Sequence, residues 1–194
     1  SPGAGGAAVL IRQYFTDGWY PTGSPNASDS IAPSAALLKA MLVTSADNSM
    51  SSYTVPDNNI GWGRVDLDSV LYFAGDTKKL AIVDDPIGLS TGQYTEYTYN
   101  VVSASAPLRV AIVWTDYPAT AGAGRKLIND LHLTVTDPSN NQYKGNVYSG
   151  GQSVTGGSYD TLNVEECVRR NSPGTGTWTV RVDGYNCPQG PQPY

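Results

Sequence analysis

Histidine, cysteine and charged residues are all scarce in this sequence of 194 residues. His132 is its only histidine, Cys167 and Cys187 are its only cysteines, and charged residues make up 15% of it. With a single imidazole, histidine-dependent catalysis is limited to one position. The sequence also has no Cys/His cluster of the kind that binds zinc.

Positive charge and long apolar runs are lacking as well. The 12 basic residues are outnumbered by 17 acidic ones, the formal net charge is −5, and no run of Lys or Arg forms a basic patch. The longest apolar stretches are far shorter than the roughly 20 residues that a membrane-spanning helix needs. We therefore expect no nucleic-acid partner and no membrane segment.

Glycine, proline and tyrosine are abundant instead, at 21, 13 and 13 residues. Low charge combined with many of these residues is typical of secreted β-rich proteins, so we predict an extracellular location. In an oxidising compartment we predict a disulfide between Cys167 and Cys187, with two buried thiols as the alternative. Asn26-Ala27-Ser28 is an acceptor pattern for N-glycosylation, which makes Asn26 a candidate glycosylation site.

Helical patterns occupy the chain up to about residue 75. Ser1 and Pro2 predict the N-cap and first residue of a helix, although the glycine-rich half that follows is poor helix material unless something packs close to its backbone. Pro33 is the predicted first residue of a second helix, which carries an apolar stripe at helical spacing, and a short third helix is predicted after the Gly61-Trp62-Gly63 turn. We interpret these helices as one edge of a larger α/β domain whose sheet lies outside this sequence.

Beyond Gly75 the apolar period changes from helical to two. Such alternation predicts half-buried strands, and several strands without intervening helices predict an antiparallel sandwich or jelly roll. We therefore divide the chain into a helical remnant, 1–76, and an all-β domain, 77–194. The alternating positions are Tyr97, Tyr99 and Val101; Leu108, Val110, Ile112 and Trp114; Leu131, Leu133 and Val135; and Trp178, Val180 and Val182.

The opening helix carries a family resemblance. The run S-P-G-A-G-G-A-A-V-L-I-R-Q-Y-F resembles the segment that follows the nucleophile in subtilisin-like serine proteases, with Ser1 and Pro2 matching the last two places of the motif G-T-S-M-A-[TS]-P. The later runs P-S-A-A-L-L-K-A-M-L and G-W-G-R-V-D-L resemble the closing helices of that catalytic domain. This placement puts the nucleophile three residues before Ser1.

The second half extends the resemblance. The runs L-R-V-A-I-V-W-T-D-Y-P, L-I-N-D-L-H-L-T-V-T-D-P-S-N-N-Q-Y-K-G-N, N-V-E-E-C-V and G-T-W-T-V-R-V-D-G-Y-N-C-P-Q-G-P-Q-P-Y resemble the C-terminal β-barrel or jelly-roll domain of subtilases related to the oxidatively stable alkaline proteases. His132 departs from the family, which often has an acidic residue there, and Cys167 and Cys187 look peculiar to this sequence.

The resemblance implies the C-terminal segment of a secreted serine endopeptidase that hydrolyses peptide bonds through an acyl-enzyme. Its triad would precede Ser1, so no residue of this chain is assigned a catalytic role and the chain alone should be inactive. Its implied partners are the missing N-terminal catalytic portion, which the β domain would stabilise, and a protein or peptide substrate. The resemblance also implies a calcium-bearing β domain.

Carboxylates at strand ends are the candidate calcium ligands. Asp116, Asp130, Asp160 and Glu165 lie where loops meet predicted strands, and Ca²⁺ prefers such oxygen ligands. The alternative is that these residues form turns.

Two other classes of function stay open. One is a non-catalytic structural module or pseudoprotease scaffold in an extracellular assembly. The other is a carbohydrate-binding jelly roll, for which Trp19 and Tyr20 are the only reasonable exposed aromatic pair, because Trp114 and Trp178 share the buried phase of their strands.

Overall fold

The first part of the chain folds around two α-helices, α1 (Pro2–Thr16) and α2 (Ala35–Ser45). The structure is a computed structural model that describes residues 1–47 and 52–194. Helix α2 begins where the Ser34 hydroxyl accepts a hydrogen bond from the Leu37 N–H at 3.0 Å, a standard N-cap. Helix α1 has proline at its first position, and its N-cap, Ser1, makes no side-chain capping bond. Both predicted helices are therefore present, but Pro33 lies before the N-cap Ser34 and is not the first helical residue.

A small apolar core joins the two helices. Its buried members are Ile11, Tyr14, Phe15, Leu37, Met41 and Leu71. The Tyr14 hydroxyl donates a hydrogen bond to the Tyr72 carbonyl at 2.7 Å, which satisfies its polar end within this core.

The predicted third helix is wrong. Its place is taken by a single 3₁₀ turn, Leu67–Ser69. The Ser69 hydroxyl donates to the carbonyls of Asp66 and Ser45, at 2.8 and 2.9 Å. Asp68, Ser69 and Val70 are weak helix formers, and the backbone of Val70 leaves the helical region at φ −123° and ψ −30°.

The rest of the structure is antiparallel β-sheet. Its strands are β1 (Tyr94–Val101), β2 (Leu108–Val113), β3 (Asp130–Thr136), β4 (Gln142–Lys144), β5 (Tyr148–Ser149), β6 (Gln152–Ser153), β7 (Glu165–Arg170) and β8 (Gly176–Asn186). A four-stranded sheet has the order β1-β8-β3-β4, and two-stranded sheets pair β2 with β7 and β5 with β6. The chain divides into two compact units, Ser1–Asp84 and Asp85–Tyr194, here called the helical unit and the β unit.

One core lies between the four-stranded sheet and the β2-β7 sheet, an arrangement consistent with a β-sandwich. Leu131, Leu133 and Val135 of β3 are fully buried, as period-two alternation predicts. Trp114 and Trp178 are also core residues, at 2% and 1% exposure, so their predicted burial is confirmed. The core further includes Ile112, Val168, Val180 and Val182.

The predicted disulfide is wrong, because no bond joins Cys167 to Cys187. Cys167 lies within β7, paired with Ala111 of β2, and its N–H donates to the Asn146 side chain. Cys187 follows β8 and is buried in the core, where its Sγ donates weakly to the Asp130 carbonyl at 3.9 Å. Both thiols are therefore buried and separate, which matches the alternative of two buried thiols.

Candidate functional site

The polar face of the four-stranded sheet is the main candidate site. Because side chains alternate along a strand, His132, Thr134 and Thr136 of β3 lie opposite the core face. The antiparallel register places them beside Asp183, Arg181 and Thr179 of β8, respectively. Rows of polar side chains therefore cross this face.

A cleft of about 500 Å³ opens on this face. Strands β1, β3, β4 and β8 supply its floor, and Tyr159 and Tyr185 contribute to its walls. Gln93 and Gln142 add amide groups to the threonine hydroxyls of the floor. The cleft is therefore lined mainly by hydrogen-bonding side chains. We call it the sheet-face cleft.

Three aromatic rings stack along one part of the cleft. The His132 ring lies between those of Tyr159 and Tyr185, with ring centroids 4.1 and 4.2 Å apart and interplanar angles of 1° and 18°. The Tyr159 hydroxyl shares a 2.9 Å hydrogen bond with the Thr134 hydroxyl. This contact holds Tyr159 against the sheet, whereas Tyr185 remains 59% exposed.

Arg181 is the central cation of the cleft, and its position is fixed from three directions. Its guanidinium contacts Asp183 at 2.6 Å and Glu96 at 3.3 Å, and it lies 3.8 Å from the centroid of the Tyr94 ring. The hydrogen bonds to Asp183 keep the pKa of Arg181 above its ordinary value. The two acidic residues of the cleft are thus paired with one arginine.

A second feature lies beneath the polar face, where Asp130 and His132 meet. Asp130 is fully buried, and its Oδ2 accepts a hydrogen bond from Arg125 at 2.9 Å. Its Oδ1 lies 3.6 Å from His132 Nε2, and neither atom has a hydrogen-bond partner among the residues that the structure describes. Burial raises the pKa of Asp130 and lowers that of His132, so the imidazole is neutral at pH 7.

Glu166 is a buried acid that the sequence analysis missed. Its Oε2 accepts a hydrogen bond from the Leu133 N–H at 2.7 Å, whereas Oε1 is buried without a partner. Burial raises its pKa to about 8. The residue stands two positions before Val168 on β7 and pairs with Ile112, so period-two alternation could have placed it on the core face.

The four predicted calcium ligands are not gathered into one site. Asp116 accepts hydrogen bonds from the N–H groups of Ile128 and Asn129, and Asp160 accepts them from the side chains of Asn146 and Asn163. Asp130 pairs with Arg125, and Glu165 lies half-buried at the start of β7. Among the described residues, no group of three or more His, Cys, Asp or Glu side chains could hold a metal ion. As placed, the four carboxylates do not fit a shared calcium site, and calcium binding stays a prediction.

Two further sequence predictions concern the helical unit. Trp19 and Tyr20 are not an exposed pair, because both pack against the helical core, with the Trp19 ring 5.3 Å from that of Phe73. Asn26 is exposed and caps the 3₁₀ turn Ala27–Asp29, accepting a hydrogen bond from the Ser28 N–H at 3.2 Å. Its glycosylation stays a prediction.

One surface of α1 is apolar and exposed. Val9 and Leu10 are 64% and 55% exposed. A Cβ built at Gly5 or Gly6 would meet no atom within 4 Å. We call these four residues the open α1 face. The space beside its two glycines is therefore open in the described parts of this chain.

Comparison with known proteins finds relatives with serine protease names. The chain is 28% identical over 243 residues, 99% of its length, to Serine protease/ABC transporter B family protein tagD of Dictyostelium discoideum. It is 30% identical over 189 residues, 93% of its length, to the protein of that family named tagA, and 27% identical over 241 residues to tagB, both from the same organism. No protein-family model matches the chain.

The match is confined to a small part of these proteins. The chain spans 11–13% of the length of the curated relatives it matches. Within residues 1–47 and 52–194, no helix has the length and apolar character needed to cross a bilayer. What the comparisons support is a sequence relationship between this chain and a segment of proteins with serine protease names.

Proposed function

We propose that the chain forms the C-terminal part of a secreted subtilisin-like serine endopeptidase. In this proposal the helical unit supplies the closing helices of the catalytic domain, and the β unit is a jelly roll that stabilises it. Three observations support the proposal, of which the first two are the serine protease names of the relatives and the order of the motifs along the chain. The third and most direct is the open α1 face.

The open α1 face carries the proposal because its composition is costly without a partner. Glycine inside a helix costs roughly 0.8–1 kcal/mol relative to alanine. No close contact within the described chain offsets this free-energy cost at Gly5 or Gly6. Exposed Val9 and Leu10 extend the same surface. Small residues beside an apolar patch suit another element of structure packed directly on the helix backbone, and the proposed catalytic portion would supply that element.

The proposed chemistry is amide hydrolysis through an acyl-enzyme. The nucleophilic serine, its histidine base and the aspartate would come from residues that precede Ser1. Helix α1 would follow the nucleophile directly, so the positive end of its dipole would favour the negative charge that develops in the transition state. His132 takes no part in this proposal, because its Nε2 is buried without a hydrogen-bond partner and both ring faces are covered by tyrosines.

Labelling with a fluorophosphonate tests the proposal, because this reagent modifies the activated serine of serine hydrolases. The reagent is applied to the chain 1–194 and to the native polypeptide, captured with an antibody raised against residues 85–194. We expect a labelled serine in a polypeptide of greater mass than the 20.6 kDa of this chain, at a position preceding Ser1, and no label on 1–194. A native polypeptide that never reacts would contradict the endopeptidase and favour a non-catalytic scaffold.

A further inference from the structure

The sheet-face cleft has the features of a ligand site, and it is independent of the proposed proteolysis. We propose that it binds a neutral oligosaccharide. Its volume of about 500 Å³ falls within the range of roughly 300–1,000 Å³ that is usual for small-molecule sites. Charge, hydrogen-bonding groups and aromatic rings each point to this class of ligand.

The charged side chains that line the cleft are paired with one another. Glu96 and Asp183 both contact Arg181, at 3.3 and 2.6 Å. Lys144, which pairs with Thr134 on the same face, donates a hydrogen bond to the Gly157 carbonyl and lies 4.7 Å from the centroid of the Tyr159 ring. The lining itself holds two acids and one base, and both acids contact that base, so no unpaired charge of the lining remains for an ionic ligand to neutralise. This balance favours a neutral ligand over a phosphate, a carboxylate or a cation.

The remaining polar groups of the cleft suit a ligand rich in hydroxyl groups. Thr134, Thr136 and Thr179 present hydroxyls from the floor, and Gln93 and Gln142 present amides from its sides. Hydroxyls and amides both donate and accept hydrogen bonds, as sugar hydroxyls do. Because Arg181 is held by Asp183, Glu96 and Tyr94, its donors are oriented before a ligand arrives, which reduces the entropy lost on binding.

The ring stack supplies the apolar surface that sugar recognition needs. One face of a pyranose ring carries C–H groups, which pack against the flat apolar body of an aromatic side chain. Tyr185 offers such a ring, 59% exposed and backed by His132 at 4.2 Å. Its support by His132 and Tyr159 makes it a rigid wall rather than a mobile surface residue.

A peptide fits the cleft less well. Peptides are recognised by pairing with a strand edge or by apolar recesses for their side chains. The floor here is the side-chain face of the sheet, and the apolar residues of β3 and β8 point to the core on the other side. Preferential binding of a peptide would therefore overturn the proposal.

The test begins with an array of neutral cello-, xylo-, manno- and chito-oligosaccharides, probed with the chain 1–194, followed by calorimetric titration of the retained sugar. We expect Tyr185→Ala and Gln142→Ala each to raise the Kd at least tenfold. Tyr117→Ala is the matched control, since Tyr117 is a tyrosine of the β unit with similar exposure, 53%, outside the cleft. It should leave the Kd unchanged, and the melting temperature of each variant checks that it is folded.

Several outcomes would overturn the proposal. One is an array that retains no neutral sugar. Another is a Kd that stays unchanged in both folded cleft variants. Tighter retention of sulfated or phosphorylated sugars than of their neutral counterparts would contradict the charge argument. Displacement of the bound sugar by peptides from a random library at lower concentration would identify the cleft as a peptide site.

Discussion

At the scale of single residues, the most unusual feature of the β unit is a set of buried acidic and imidazole side chains. Asp130, His132 and Glu166 are all buried, and each has one side-chain atom without a hydrogen-bond partner. Keeping an ionised group in such surroundings is unfavourable, so each group shifts toward its neutral form. The raised pKa of Asp130 and Glu166 and the lowered pKa of His132 all follow from this burial.

Glu166 should therefore make stability depend on pH. Its carboxyl keeps its proton in the folded chain up to about pH 8, but loses it near pH 4.5 in the unfolded chain. Between these values the folded state binds more protons, so the free energy of unfolding falls as pH rises. Glu166→Gln, which resembles the protonated acid, should make the free energy of unfolding less dependent on pH. Between pH 5 and pH 8 the unmodified chain should lose on the order of a few kcal/mol more of this free energy than the variant does.

Urea unfolding of both proteins at pH 5, 6.5 and 8 measures this difference. The contributions of Asp130 and His132 are present in both proteins and largely cancel in the comparison. If the free energy of unfolding changes equally with pH in Glu166→Gln and in the unmodified chain, the Glu166 carboxyl is ionised in the folded state and the prediction is wrong.

At the scale of elements, the sequence predicts the longer strands better than the third helix or the pairing of the cysteines. Alternation identifies β1, β2, β3 and β8 because each has one face in a core, and burial then follows period two. The third helix fails because Asp68, Ser69 and Val70 are weak helix formers, which apolar spacing alone does not take into account. The disulfide fails because Cys167 lies within β7 whereas Cys187 lies in the core beyond the end of β8, and the spacing of two cysteines carries no information on where each one folds.

The two helix starts offer a matched comparison of capping. The Ser34 hydroxyl accepts the Leu37 N–H, whereas Ser1 makes no side-chain capping bond. Ser34→Ala should lower the free energy of unfolding by about 0.5–2 kcal/mol, because it leaves that N–H without its acceptor. Ser1→Ala, the control, should change it by less than about 0.5 kcal/mol. Thermal and urea unfolding measure both values, and equal losses would show that the Ser34 hydroxyl does not stabilise α2.

At the scale of the whole molecule, the sheet-face cleft lies beyond what sequence reasoning could find. Glu96 meets Arg181 across 85 positions of sequence, and Tyr159 reaches His132 from a loop between β6 and β7. Alternation does place His132 on the face opposite Leu131 and Leu133. The two tyrosines reach His132 through the pairing of the strands and the path of a loop, and no local sequence pattern predicts either of these.

The sequence also predicts that something packs against the glycine-rich start of α1, and the described chain supplies no such contact at Gly5 or Gly6. The central claim of this account is that the open α1 face is covered by the proposed catalytic portion. Helix α1 is otherwise anchored through Ile11, Tyr14 and Phe15, which face the opposite way into the helical core. A reporter on the open face therefore distinguishes a covered surface from an exposed one without disturbing that core.

The most direct test is the rate at which a thiol reagent modifies Leu10→Cys, in the chain 1–194 and in the longer native polypeptide that we propose. Cys167 and Cys187 are buried and give a slow background, and Leu162→Cys, at a position 73% exposed in the β unit, is the control. We predict rapid modification of Leu10→Cys in 1–194, at least about tenfold slower modification in the longer polypeptide, and equal rates for the control. Equal rates at Leu10→Cys in the two proteins would contradict the central claim.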